Sequence, residues 1–206
     1  MELKPLHEQW LKTGRNFVYW DRGYLCRGGR TWLKAPHKTE YFRWHVNAYQ
    51  MKGIRPDAVA ERFDRLKIRP DPWNRRGTKI VVAEPSAHYA KFHNVEDWVV
   101  KIVAKLKKTG RPIKVRNKLS RIPLQRELHD AYCLVTHGSV AAVEAVVFGC
   151  PVITDPCSTA APMGRTAIED IDNLVYPDRA AWLSSVATSQ FSAGEIVSGE
   201  IWDLIA

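Results

Sequence analysis

Residues 131–155, AYCLVTHGSVAAVEAVVFGCPVITD, constrain the fold more than any other stretch of the chain. Cys133-Leu134-Val135 is a buried-strand run, and Thr136-His137-Gly138-Ser139 is a polar turn whose last residue can cap a helix. Val140 to Phe148 places small and apolar residues at helical spacing. Gly149 stops that helix, and Pro151 opens a second apolar strand at Val152-Ile153. The product is a β-turn-α-β unit. A helix entered through Gly and Ser turns backbone N–H groups toward open space, and its dipole adds partial positive charge there. A phosphate is the natural guest. Glu144, the only acid on this helix, could reach a ribose or sugar hydroxyl of the same ligand from the second turn. A capped βαβ unit without a ligand satisfies the same pattern.

The surrounding text repeats the alternation. Lys79 to Ala83 reads as a buried strand, and Glu84 to His88 as the loop at its carboxyl end. Val95 to Lys108 is an amphipathic helix with Trp98, Val99, Ile102, Val103 and Leu106 on its apolar face. Pro112 to Arg116 is the next strand, Leu124 to Asp130 a helix, and Leu174-Val175-Tyr176 the last strand, followed by helices over about 178–190 and 192–205. This order predicts an α/β domain over residues 77–206, a Rossmann-like doubly wound parallel sheet. Ligands in such sheets bind beyond the carboxyl ends of the strands, at a switch point. That rule gathers Glu84-Pro85-Ser86, Arg116-Asn117-Lys118, Thr136 to Ser139 and Asp155-Pro156 along one edge.

Residues 1–76 read differently, as a small, basic, aromatic and β-rich extension. Strands are expected at Phe17 to Trp20 and Tyr41 to Val46, a Gly28-Gly29 turn before Thr31-Trp32-Leu33, and a helix over Ala58 to Leu66. This part carries 17 Lys and Arg against 8 Asp and Glu, a net of +9; residues 77–121 carry +8 and residues 122–206 carry −8. Arg22, Arg27, Arg30 and Arg43, interleaved with Trp20, Trp32 and Trp44, suit a polyanion such as DNA. The basic front and acidic back also suit a head-to-tail homo-oligomer. No apolar run approaches the length of a membrane span, and MELKPLHEQW has no apolar signal core, so a cytoplasmic protein without membrane insertion is expected. The four cysteines show no metal-binding spacing, which predicts reduced thiols and no metal site.

The string His137-Gly138-Ser139, Glu144 and Gly149-Cys150-Pro151-Val152 resembles the donor-binding half of GT-B glycosyltransferases, in the versions found in capsule-polysaccharide transferases and phage glycosyltransferase-like proteins. Pro177-Asp178-Arg179, Trp182-Leu183, Gln190-Phe191, Glu195-Ile196, Ser198-Gly199 and Trp202 resemble their closing helices, so the likeness covers about residues 78–206. It implies a nucleotide-sugar substrate, no further cofactor, and transfer of the sugar to an acceptor, with phage DNA as one such acceptor. Donor contacts would come from Glu84, Ser86, Arg116, Lys118, Thr136, Gly138, Ser139, Glu144 and Arg165, with His137 as a catalytic residue whose imidazole donates to a phosphate oxygen. Family members take their base from a full Rossmann domain; here the short front offers Asp21, a strand-end carboxylate beside Gly23. The alternative is a non-catalytic nucleotide- or nucleic-acid-binding protein derived from such a half-domain.

Overall fold

A computed structural model of the protein describes residues 3–26 and 39–205. Arg27, Arg30, Trp32 and the Gly28-Gly29 turn lie outside them. The order is α1 (Leu3–Thr13), β1 (Val18–Arg22), β2 (Tyr41–Val46), α2 (Ala60–Arg65), β3 (Lys79–Ala83) and α3 (Ala87–His93). Then follow α4 (Trp98–Leu106), β4 (Ile113–Arg116), α5 (Leu124–Leu128), β5 (Ala131–Thr136), α6 (Ala141–Val147) and β6 (Val152–Thr154). The chain closes with α7 (Ala180–Thr188), β7 (Gln190–Ser192), α8 (Ala193–Ser198) and α9 (Glu200–Ile205).

Four strands form a parallel sheet in the order β4-β3-β5-β6. Their side chains alternate between two apolar clusters. Ile80, Val82, Cys133, Val135 and Ile153 pack with Leu106, Trp98 and Ile102 of α4. Val81, Leu134 and Val152 pack with Leu128 of α5, Val143 and Val146 of α6, and Trp182 of α7. Both faces are covered, which is why these strands read as continuous apolar runs. Each such side chain contributes roughly 1.5–3 kcal/mol by leaving water. From β4 the chain crosses over β3 to reach β5, so connections diverge between β3 and β5. There the Thr136 hydroxyl donates to the Ala83 carbonyl at 2.8 Å, tying the two strand ends together.

Gly149 ends α6 with φ +69°, and a Cβ on it would sit 2.0 Å from the Pro72 carbonyl. The linker is laid directly across this helix end. Asp71 N donates to Val147 O at 2.9 Å and Asn74 N to Gly149 O at 2.7 Å.

The second sheet is antiparallel, β1-β2-β7. Asp21 pairs with Arg43 and Trp20 with Trp44 across the ribbon, and β7 adds to the free edge of β2. The front segment is therefore stitched to the tail of the chain. Strand alternation gives the ribbon two characters: Arg43 and His45 are buried, whereas Trp20, in register with Trp44, is 60% exposed.

Several expectations need correcting. Leu174-Val175-Tyr176 forms no strand. The Pro177 carbonyl accepts from the Trp73 indole at 3.0 Å, and Tyr176 meets the Trp73 ring at 6.0 Å, so this segment clamps the linker instead. The last strand is β7, in the other sheet. The loop expected over Glu84 to His88 turns into α3 at Ala87, where the Ser86 hydroxyl accepts from Tyr89 N. Among the described residues no helix is long and apolar enough to cross a membrane.

Candidate functional site

The β5 and β6 ends carry the central groups. The parallel ladder runs one step past the strands, because Asp155 N donates to His137 O at 2.9 Å. His137 and Asp155 therefore lie side by side, Nε2 to Oδ2 3.6 Å. Asp155 Oδ1 accepts from Cys157 N at 2.9 Å, a turn that brings Cys157 Sγ to 3.9 Å from His137 Nδ1. From α3, the Tyr89 hydroxyl reaches 3.0 Å from the same Nδ1 and 3.4 Å from the Cys157 sulfur. One helical turn later the His93 ring lies tilted against Tyr89, 4.2 Å between centroids, and 5.8 Å from that of His137.

Burial sets the protonation of this group. It raises the Tyr89 hydroxyl out of the physiological range, with Cys157 and Asp155 adding to the effect and Arg43 opposing it. Burial also pushes the Cys157 thiol up to about 11 and lowers His93, the latter helped by the neighbouring His137. Tyr89 and Cys157 thus enter neutral chemistry as protonated donors. His137, Asp155 and Cys157 each present a donor atom within 4.8 Å of the others, a mixed N, O, S set that zinc accepts. The Tyr89 hydroxyl already links two of the three.

The turn expected to face open space is covered. Gln50 Nε2 donates to Gly138 O at 2.9 Å, while its Oε1 accepts from Thr159 N at 3.1 Å. A Cβ at Gly138 would lie 2.1 Å from the Tyr89 hydroxyl, so only glycine lets that hydroxyl approach the turn. Ser139 Oγ accepts from Ala141 N at 3.2 Å, closing the first free donor of the short α6.

The inner face of the ribbon completes the surroundings. The Tyr24 hydroxyl accepts from Met51 N at 2.7 Å and lies 2.8 Å from His45 Nε2. Burial, aided by Arg43 and Arg55, pushes the His45 imidazole down to about 3, so it is neutral in the folded protein. Arg43 donates through Nη2 to Asp21 Oδ2 at 2.7 Å, and its guanidinium lies 5.1 Å from the Tyr24 ring centre. Its Nε and Nη1 are buried and meet no acceptor among the described residues. A depression of about 320 Å³ lined by His45, Gln50, Met51, Arg55 and Ser189 lies alongside.

The other residues singled out from the sequence spread more widely. Arg116 is engaged by Glu127 and by the Ile122 carbonyl, and Lys118 and Glu84 are exposed. Ser86 serves as the α3 cap, Thr136 as the strand tie, and Glu144 is buried on α6. Arg165 bridges Ile153 through its backbone and donates from Nε to Asn173 O at 2.7 Å. Asp21 accepts from Arg43, from the Tyr19 hydroxyl at 3.2 Å and from Arg22 N at 2.7 Å. Arg22 is exposed beside Trp20, Trp44 sits between the Trp20 and Trp202 rings, and Arg43 faces inward. Tyr89, Cys157, Gln50 and Tyr24 were not singled out. Tyr89 and His93 at i, i+4 carried a signal; Gln50, brought in by tertiary folding, carried none.

No protein-family model matches the sequence, and no curated protein matches it. Among solved structures, Thermosulfurimonas dismutans KpsC, beta Kdo 2,4 transferase, superposes with a TM-score of 0.52 at 11% identity, covering 94% of this chain and 82% of that one. At that identity the likeness is one of architecture. The chain has a glycosyltransferase-like α/β fold.

Proposed function

We propose that the protein binds a nucleotide sugar at the carboxyl edge of its parallel sheet and transfers the sugar to an acceptor. The observation that carries this reading is the meeting of His137, Asp155, Cys157 and Tyr89 at the switch point of the sheet. Sugar transfer needs a group that moves a proton and positive charge for the departing phosphate. His137 suits the first need. With Nδ1–H donating to the Tyr89 oxygen, Nε2 is left to take a proton, and the Asp155 carboxylate faces it at 3.6 Å. The exposed side of the ribbon, with Trp20 and Arg22, suits a polyanionic acceptor such as DNA.

Binding without transfer is favoured by Asp21, whose carboxylate already accepts three hydrogen bonds and so makes a poor free base. A thermal-shift screen of nucleotides and nucleotide sugars tests the shared step, because occupancy of a folded site raises the melting temperature. A nucleotide sugar is expected to raise it, and His137→Ala to reduce the rise. Absence of any shift across the common nucleotide sugars would sink the reading. Sugar release by the native protein, lost in His137→Ala, then separates transfer from binding.

A further inference from the structure

We propose that Arg43 is the anchor for an oxyanion, the phosphoryl group of the ligand, at the seam between the β1–β2 ribbon and the parallel sheet. The assignment of that oxyanion to a nucleotide rests on the function proposed above. A guanidinium carries five N–H donors, and buried donors in folded proteins are almost always used. Arg43 is only 7% exposed, yet Asp21 takes Nη2 alone, and Nε and Nη1 have no acceptor among the described residues.

Tyr19 shares a hydrogen bond with the guanidinium, yet Nε and Nη1 stay unfilled among the described residues. Asp21 Oδ1 is held by Arg22 N, and the Tyr24 hydroxyl is occupied by Met51 N and His45. Tyr19 and Tyr24 present ring faces to the guanidinium, at 5.7 and 5.1 Å. His45 is neutral. The guanidinium lies 5.1 Å from the ring of Tyr24, which packs in the same apolar cluster as Val81 and Leu134 of the parallel sheet. Beside the guanidinium stand the Asp21 carboxylate on one side and neutral hydrogen-bonding groups on the other, and a small oxyanion would take the two remaining donors through charge-assisted bonds. Burial keeps Arg43 from the backbone of a nucleic-acid duplex, so the anion has to be small enough to enter the seam.

Isothermal titration of the full chain tests this, using inorganic pyrophosphate, UDP and CMP, with uridine and cytidine as phosphate-free probes. Pyrophosphate and the nucleotides are expected to bind, and the nucleosides at least tenfold more weakly. Arg43→Gln should weaken the phosphorylated probes at least tenfold, with Arg43→Lys recovering part of the loss. Asp21→Asn should tighten them, because it removes the carboxylate that competes for the guanidinium. Nucleotides that bind Arg43→Gln as well as the native protein overturn the anchor while leaving the nucleotide reading intact. Pyrophosphate binding with no gain from any nucleoside moiety does the reverse, and silence from every probe defeats both. If Arg43→Gln does not fold, unchanged affinities in Arg43→Lys and Asp21→Asn overturn the anchor.

Discussion

Two arginine–carboxylate pairs at strand positions, Arg116 with Glu127 and Arg43 with Asp21, are built in opposite senses. In the first, the acid is buried: Glu127 is 2% exposed and accepts from Arg116, from Lys114 at 2.9 Å and from Ser120 at 3.4 Å. Burial alone would raise its carboxyl, but the bonds from Lys114 and Arg116 hold it below the ordinary glutamate range. Arg116 has a further outlet in the Ile122 carbonyl. In the ribbon the cation is buried, the acid is half exposed, and two donor atoms are left over. A saturated pair fastens α5 beside β4. An unsaturated one has capacity for something from outside.

Breaking the saturated pair should have the largest effect. Glu127→Ala strands Arg116 and Lys114, and is expected to cost about 3 kcal/mol in urea unfolding with pyrophosphate binding unchanged. The same pair is an acid-sensitive lock: its stabilisation is complete above the ordinary glutamate pKa and fades as pH falls through the depressed folded value. Next comes His45. The unfolded chain takes up this proton near pH 6.5, whereas the folded protein refuses it until about 3. Stability should therefore fall by roughly 1.4 kcal/mol per pH unit between those limits from this group alone. Urea titrations at pH 7, 6 and 5 would reveal the slope, and His45→Gln should flatten it. Arg43→Gln is expected to cost only about 1 kcal/mol, since it removes two unfilled donors and leaves Asp21 facing water. A loss matching that of Glu127→Ala would erase the distinction between the pairs. The smallest effect concerns Cys157. With its thiol near 11, labelling by a disulfide reagent should be slow at pH 8 and still rising at pH 10; a plateau below pH 8 would reveal an activated thiolate instead.

Much of the parallel sheet was legible because its grammar is local. β3 was read at its observed limits, and β4, β5, β6 and α6 within two residues at each end, since apolar runs bounded by Gly and Pro need no distant partner to be recognised. β7 was not, because Gln190-Phe191-Ser192 becomes a strand only by pairing with β2, some 150 residues earlier. The site divides along the same line. His137 and Gly138 announced themselves by strand-turn-helix context, and sheet topology alone brought Asp155 alongside. Gln50, Tyr24 and the inward turn of Arg43 depend on how the ribbon docks, which leaves no periodic trace beyond the two-residue alternation of β2. That alternation separates Trp44 from Arg43 and His45, but it does not say which side faces the protein.

The pairing of β7 with β2 also orders events in time. During synthesis the parallel sheet, complete by Thr154, can form while the ribbon still lacks its third strand. Sheet completion awaits Ser192, and with it comes the Gln190 side chain that accepts from Leu25 N at 2.9 Å. The β1–β2 ribbon therefore gains its third strand only after every strand of the parallel sheet has been made.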